Sequence, residues 1–286
     1  MSFRRHFESC GTVLAVSLFC ACLCSFTVEG RVFFGVSERW GFDSGKLVFA
    51  AMAAHAAGLL LCGFFVKDCR LARRVFICGC GFVPLALLPF FFRPSPLWHA
   101  ALISEAFVSG LTLASWGALL RVRTPRELRF KACADLLILT ALFVSLIYIA
   151  MELCSPLAAL ALAMAFPAAA LLVCVLLPET QERERAQDAA LAKPAALLCV
   201  FILIFTINAG LMYQAVLPAF GGVSWLASWY WNVPYVAAIA VLRWAPVKNK
   251  RSWSLYIGIV MLMLSFIVFV AADRGTAGFV AVNTLM

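Results

Sequence analysis

The sequence predicts an all-α fold, a polytopic bundle of transmembrane helices, and three observations predict it. Nine apolar stretches, each long enough to cross a bilayer, follow one another along the 286 residues. The chain is 64% hydrophobic and 13% charged, which is more apolar surface than a soluble domain of this size buries. The basic residues fall mostly in every second gap between the stretches. In lipid the backbone polar groups must be satisfied within the segment, so stretches of this length are helices.

The bounds of the predicted spans follow the uninterrupted apolar runs. A span needs about 20 residues, because a helix rises about 1.5 Å per residue and the hydrocarbon core is about 30 Å thick. The predicted spans are 10–28, 46–66, 75–92, 97–120, 132–153, 156–177, 194–217, 225–245 and 253–272. A further apolar piece, 275–286, is too short to cross and is predicted to be the first half of a tenth span.

A charged segment divides these spans into two groups. Residues 178–193 are rich in glutamate and arginine and lack aromatic side chains, which is typical of a surface linker. The predicted organisation is a six-span bundle over 1–177, a cytoplasmic linker over 178–193, and a partial second bundle over 194–286.

The distribution of charge predicts the orientation. The N-terminus and the even-numbered gaps hold 18 of the 23 lysines and arginines, and the odd-numbered gaps hold five. By the positive-inside rule the N-terminus is cytoplasmic, and the protein is a multi-pass protein of the cell (inner) membrane. The net charge of +9 is therefore explained by topology rather than by nucleic acid. The predicted partners are the lipid bilayer and a small molecule.

No enzyme, metal or cofactor is predicted. The sequence contains no phosphate-binding loop, no G-x-S-x-G and no H-E-x-x-H. Most of the twelve cysteines lie inside apolar spans, where they act as small hydrophobic residues. Cys20, Cys22 and Cys24 have a spacing that points their side chains in different directions on a helix, which argues against a metal site.

The gap between spans 2 and 3 carries a recognisable pattern. Gly63 is followed by Asp68 and then by a cluster of arginines, Arg70, Arg73 and Arg74. We expect Gly63 to let two helix ends approach closely. We expect Asp68 to cap a helix end or to pair with an arginine across a cytoplasmic gate.

This gate motif, Gly63, Asp68, Arg70, Arg73 and Arg74, resembles the motif between spans 2 and 3 of the major facilitator superfamily. The spacing departs from the family pattern by one residue, and Cys69 stands where a basic residue is usual. The resemblance implies a carrier-like bundle in which spans 1, 4, 7 and 10 line a cavity. It would place Glu105, in span 4, on the path of a substrate.

Two ionisable residues inside the spans are candidates for binding a substrate. Glu105 in span 4 and His55 in span 2 are predicted to lie at similar depth, where they could share a proton or bind a polar group. The alternative for His55 is one interhelical hydrogen bond with a structural role. For Glu105 a functional and a structural role stay equally open.

Further substrate-binding candidates lie in spans 7 and 8. They combine amide and aromatic side chains, which suit an organic ligand that is aromatic or cationic. The candidates are Asn208, Tyr213, Gln214, Trp229, Asn232 and Tyr235. The alternative is an aromatic belt at the membrane interface, which we prefer for Trp225 and Tyr230.

Three functions remain open from the sequence. The first is a membrane transporter of a small organic solute that works by alternating access. The second is the ligand-sensing membrane domain of a LuxR-type transcriptional regulator, which also resembles a carrier bundle. The third is an inactive truncated remnant, since the chain stops within the predicted tenth span.

Overall fold

The computed structural model describes residues 3–28, 30–66, 68–124, 128–177, 219–220, 226, 229–244 and 250–286. Within these ranges the chain is helical and contains no strand, which confirms the predicted all-α class. The chain divides into two compact units, Met1–Glu182 and Arg183–Met286. Each unit is described by itself.

The first unit contains six helices that are long and apolar enough to cross a membrane. They correspond to predicted spans 1 to 6, so this part of the multi-pass topology is confirmed. The helices are α1 (Phe3–Cys22), continued by a π-helical segment (Leu23–Val28); α3 (Gly45–Phe65); α4 (Cys69–Leu87), continued by a 3-10 turn (Leu88–Phe91); α5 (Pro96–Arg123); α6 (Arg129–Leu153); and α7 (Pro156–Leu176).

Ser-Pro pairs set the starts of two of these helices. Pro96 and Pro156 occupy the first turns of α5 and α7, where a missing backbone N–H is tolerated. Ser155 caps α7, because its hydroxyl accepts a hydrogen bond of 3.1 Å from the Ala158 N–H. These local signals place the turns between spans 3 and 4 and between spans 5 and 6.

A short helix, α2 (Arg31–Arg39), occupies the gap after span 1, where no helix is predicted from the sequence. It begins after Gly30, whose φ of 65° lies in the left-handed region that favours glycine. Val32, Phe33 and Val36 are fully buried on one face of α2. A segment of nine residues is too short to be predicted as a span. Its amphipathic pattern indicates a helix that covers the core with its apolar face.

Aromatic side chains fill the core at the end of the first unit where α1 finishes and α5 begins, here called the α2 end. Phe90 is central: its ring centroid lies 5.1 Å from that of Phe26, 5.6 Å from that of Phe33 and 4.9 Å from that of Trp98. The Trp98 indole N–H donates to Pro89 O at 3.0 Å, which satisfies its polar atom. This cluster connects α2, the 3-10 turn and α5.

Glycines bring α3 and α5 into backbone contact. A Cβ added to Gly58 would overlap Phe107 O, and one added to Gly110 would overlap His55 O. Gly58 and Gly110 therefore give the close helix packing that small residues allow in membrane bundles. An added Cβ at Gly117 would meet no described atom within 4 Å.

In the second unit the structure describes α8 (Asn232–Trp244), α9 (Lys250–Ala271) and α10 (Thr276–Leu285). Buried side chains of Phe220, Leu226, Phe279 and Val282 form its core. Ser265 on α9 donates to Val282 O on α10 at 3.0 Å, so these two helices form a packed hairpin. The predicted linker 178–193 and span 194–217 lie outside the described residues.

Candidate functional site

Among the described Asp, Glu, His, Lys and Arg side chains of the first unit, Glu105 is the most deeply buried. Its side chain is fully buried on α5, with an exposed fraction of 0%. Thr27 Oγ1 donates to Glu105 Oε2 at 2.7 Å, and Ser109 Oγ donates to Glu105 Oε1 at 2.6 Å. Both carboxylate oxygens therefore accept a short hydrogen bond from a neutral hydroxyl.

The two hydroxyls reach Glu105 by different routes. Ser109 lies four residues after Glu105, so both side chains project from the same face of α5. Thr27 comes from the π-helical segment that ends span 1. π-helical turns are rare and occur frequently at functional sites. The site is therefore a three-residue group, Thr27–Glu105–Ser109, that joins span 1 to span 4.

The surroundings of Glu105 are not basic. Its polar contacts are the two hydroxyls, and no described lysine or arginine forms an ion pair with it. The Cys22 thiol of α1 interacts electrostatically with the carboxylate. The charge of an ionised Glu105 is thus not neutralised by a described cationic side chain.

His55 does not join this group. Its Nδ1 lies 3.1 Å from Ala106 O, so the imidazole N–H donates to the backbone of α5 one residue beyond Glu105. The predicted similar depth of the two side chains agrees with this contact. The geometry gives His55 the interhelical hydrogen bond that was its structural alternative, and each residue has its own partners.

The gate motif is assembled differently from the expectation. Gly63 is exposed, and an added Cβ would meet no described atom within 4 Å, so the described residues form no close approach there. Asp68 occupies the N-cap position of α4 but makes no side-chain capping bond; its backbone carbonyl accepts from the Ala72 N–H at 2.9 Å. Arg70 and Arg74 are exposed.

Arg73 is the member of the gate motif that contacts another span. Its Nη2 donates to Leu177 O at 2.7 Å and to Cys174 O at 3.3 Å. These carbonyls end α7, where the last turn of a helix leaves C=O groups without intrahelical partners. Arg73 therefore fastens the start of span 3 to the end of span 6.

The described candidates of the second unit differ in their burial. Asn232 is buried with 5% exposure, whereas Trp229 and Tyr235 are 41% and 38% exposed. Asn208, Tyr213 and Gln214 lie outside the described residues. Their predicted part in binding stays a prediction.

Sequence reasoning missed three members of this architecture. Ser109 had a readable signal, namely its spacing of four residues from Glu105, but Thr27 had none. Glu152 forms a 2.6 Å ion pair with Arg31 of α2, a contact that sequence spacing does not predict, whereas Arg129 lies at the opposite end of the 25-residue α6.

No family model, no curated protein and no solved structure matches the chain. Among the described residues no group of three or more His, Cys, Asp or Glu side chains is placed to hold a metal ion. The chemistry available to Thr27–Glu105–Ser109 is that of one carboxylate and two hydroxyls.

Proposed function

We propose that this protein is a membrane transporter that moves a small organic solute by alternating access, with Glu105 on the solute path. The observation that carries the proposal is the fully buried Glu105 carboxyl, held by Thr27 and Ser109 inside a unit of six membrane-spanning helices. An ionisable residue at such a position is by default a functional candidate.

Burial of the Glu105 carboxyl costs the fold free energy. A charged side chain in the middle of a membrane helix is unfavourable by roughly 2.5–3.5 kcal/mol on insertion scales. Two neutral hydroxyls offset part of this cost by hydrogen bonding. An apolar residue would fill the same interior position without the cost, which favours a role for the carboxyl in handling a polar ligand.

Charge placement supports a multi-pass protein of the cell (inner) membrane whose N-terminus is cytoplasmic. The α2 end carries few basic residues, among them Arg31 and Arg93, whereas the opposite end carries Arg70, Arg73 and Arg74. The positive-inside rule then puts the α2 end outside. Glu105, nine residues into α5 from Pro96, lies nearer to that outer end.

The test is solute flux into liposomes that contain the purified full chain. Wild-type protein is expected to accumulate or release at least one solute from a panel of organic cations, anions and neutral compounds. Glu105→Gln keeps the shape of the side chain and removes its charge, and it should lower that flux by about tenfold or more, equivalent to ~1.4 kcal/mol.

The matched control is Glu38→Gln, the same chemical change at an exposed position on α2. It should leave flux near the wild-type value. Absence of flux for every solute of the panel would contradict the proposal. Saturable solute binding without flux would instead identify the ligand-sensing alternative.

A further inference from the structure

We infer that Thr27, Glu105 and Ser109 form a binding site for one monovalent cation, H⁺ or Na⁺, held between spans 1 and 4. The binding itself is argued from the geometry alone. Its use to drive solute movement rests on the transport function proposed above.

The charge of this group favours a bound cation. The group contains one carboxyl and two neutral hydroxyls, and no described basic side chain is bonded to it. An isolated carboxylate in an apolar interior is far too costly to persist, so it is neutralised by a proton or a bound cation. One carboxylate matches one positive charge, which favours a monovalent cation over a divalent one.

The type of ligand atom favours a hard cation. The site offers only oxygen: Oε1 and Oε2 of Glu105, Oγ1 of Thr27 and Oγ of Ser109. Oxygen ligands suit hard cations, and soft transition metals prefer sulfur or imidazole. Each hydroxyl donates its single hydrogen to the carboxylate and keeps two lone pairs, which remain able to face a cation.

The position of Thr27 links the site to the end of span 1. This residue lies in the π-helical segment Leu23–Val28, which departs from the regular hydrogen-bond pattern of α1. Irregular backbone at membrane depth is tolerated where it is buried in protein, and in transporters its carbonyls often coordinate ions. The bond from Thr27 to Glu105 therefore makes the end of span 1 sensitive to what occupies the carboxyl.

Near Glu105, the titratable side chains that the structure describes are thiols and one imidazole. Cys22 of α1 lies within electrostatic range of Glu105, of Cys24 in the π-helical segment and of Cys80 of α4. His55 of α3 faces α5 but donates to Ala106 O. The 3-10 turn Leu88–Phe91 contributes no titratable group.

The experiment uses dicyclohexylcarbodiimide, an apolar reagent that reacts with protonated carboxyl groups inside membranes. The reconstituted full chain is labelled over a series of pH values, with Na⁺ or with choline as the only added cation, and the Glu105 peptide is quantified by mass spectrometry. Labelling is expected to fall as pH rises. If Na⁺ but not choline protects at a fixed pH, Na⁺ shares the site; if neither protects, the cation is H⁺ alone.

Two outcomes would overturn the inference: no labelling of Glu105 at any pH, or labelling that responds neither to pH nor to Na⁺. The exposed carboxyls of Glu38 and Glu152 serve as internal controls within the same digest, and their labelling should stay low.

Variants test the ligand set separately from transport. If Na⁺ protects, Thr27→Val and Ser109→Ala should each weaken that protection about tenfold, whereas Ser104→Ala should not, because Ser104 bonds Ala101 O within its own helix. No solute is present, so failure here leaves the transport proposal standing. Conversely, lack of flux with intact labelling would leave the cation site standing.

Discussion

Arg31 Nη2 lies 2.6 Å from Glu152 Oε1, and this ion pair fastens the start of α2 to the end of α6. The Arg31 guanidinium also lies over the Tyr148 ring, 4.9 Å from its centroid. The two side chains are 27% and 57% exposed, so the charges are partly hydrated. The two residues lie 121 positions apart in the chain, and their ion pair holds α2 against α6 (span 5) at the α2 end.

Removal of this ion pair should destabilise the protein only modestly. Exposed pairs contribute about 0.2–1 kcal/mol, so Arg31→Gln and Glu152→Gln should each lower the unfolding temperature in detergent slightly. A double-mutant cycle should give a coupling free energy of about 0.5 kcal/mol that shrinks with added salt. Strictly additive single effects would show that the two side chains do not interact in the folded protein.

Alanine at Gly58 or Gly110 should be strongly destabilising. The added Cβ would overlap a backbone oxygen of the facing helix, and backbone cannot move aside as a flexible side chain does. We expect a loss of about 2–4 kcal/mol, or failure to fold, measured as monodisperse yield and unfolding temperature.

Gly63→Ala and Gly117→Ala are the matched controls for that prediction, since each added Cβ meets no described atom within 4 Å. Alanine has a higher helix propensity than glycine, by about 0.5–1 kcal/mol, so both controls should be neutral or slightly stabilising. Equal tolerance at all four glycines would contradict the backbone contact between α3 and α5.

His55→Leu should affect stability and leave solute flux largely intact. The substitution removes the hydrogen bond to Ala106 O, and interhelical bonds of this kind in membranes are worth about 0.6 kcal/mol. The unfolding temperature and the flux of the same preparation check this. A loss of flux as large as that of Glu105→Gln, at unchanged stability, would return His55 to the functional site.

Arg73→Gln should destabilise the first unit by about 1–3 kcal/mol. The substitution withdraws donors from Leu177 O and Cys174 O and leaves carbonyls at the end of α7 without them. Arg70→Gln removes the same charge at an exposed position and should have little effect. Equal effects of the two variants would mean that the charge of the gap matters rather than the contact of Arg73.

The six long helices were predictable from the sequence because bilayer thickness fixes a minimum apolar length, and α3, α5 and α7 meet that length without ambiguity. α2 was not, since nine residues carry too little periodicity to separate a covering helix from a loop. Length alone also gave no sign of the π-helical end of span 1.

The candidate site was predictable in part. Glu105 stands out in any apolar run as an ionisable residue, and this signal is local. Thr27 is 78 positions away, and its contact with Glu105 depends on how spans 1 and 4 pack. The described residues make no close approach at Gly63, because glycine permits contact without requiring it. The residue that fastens this region is Arg73, through a contact that no spacing rule predicts.

The contact between Gly58 and Gly110 has a mechanical consequence. At Gly58 on α3 and Gly110 on α5 the two backbones touch, with no layer of side chains between them there to slide or repack. The His55 bond to Ala106 O lies along the same seam. We therefore expect spans 2 and 4 to move together as one rigid body in any conformational change. Any movement of span 1 relative to this pair would then act on the bond from Thr27 to Glu105.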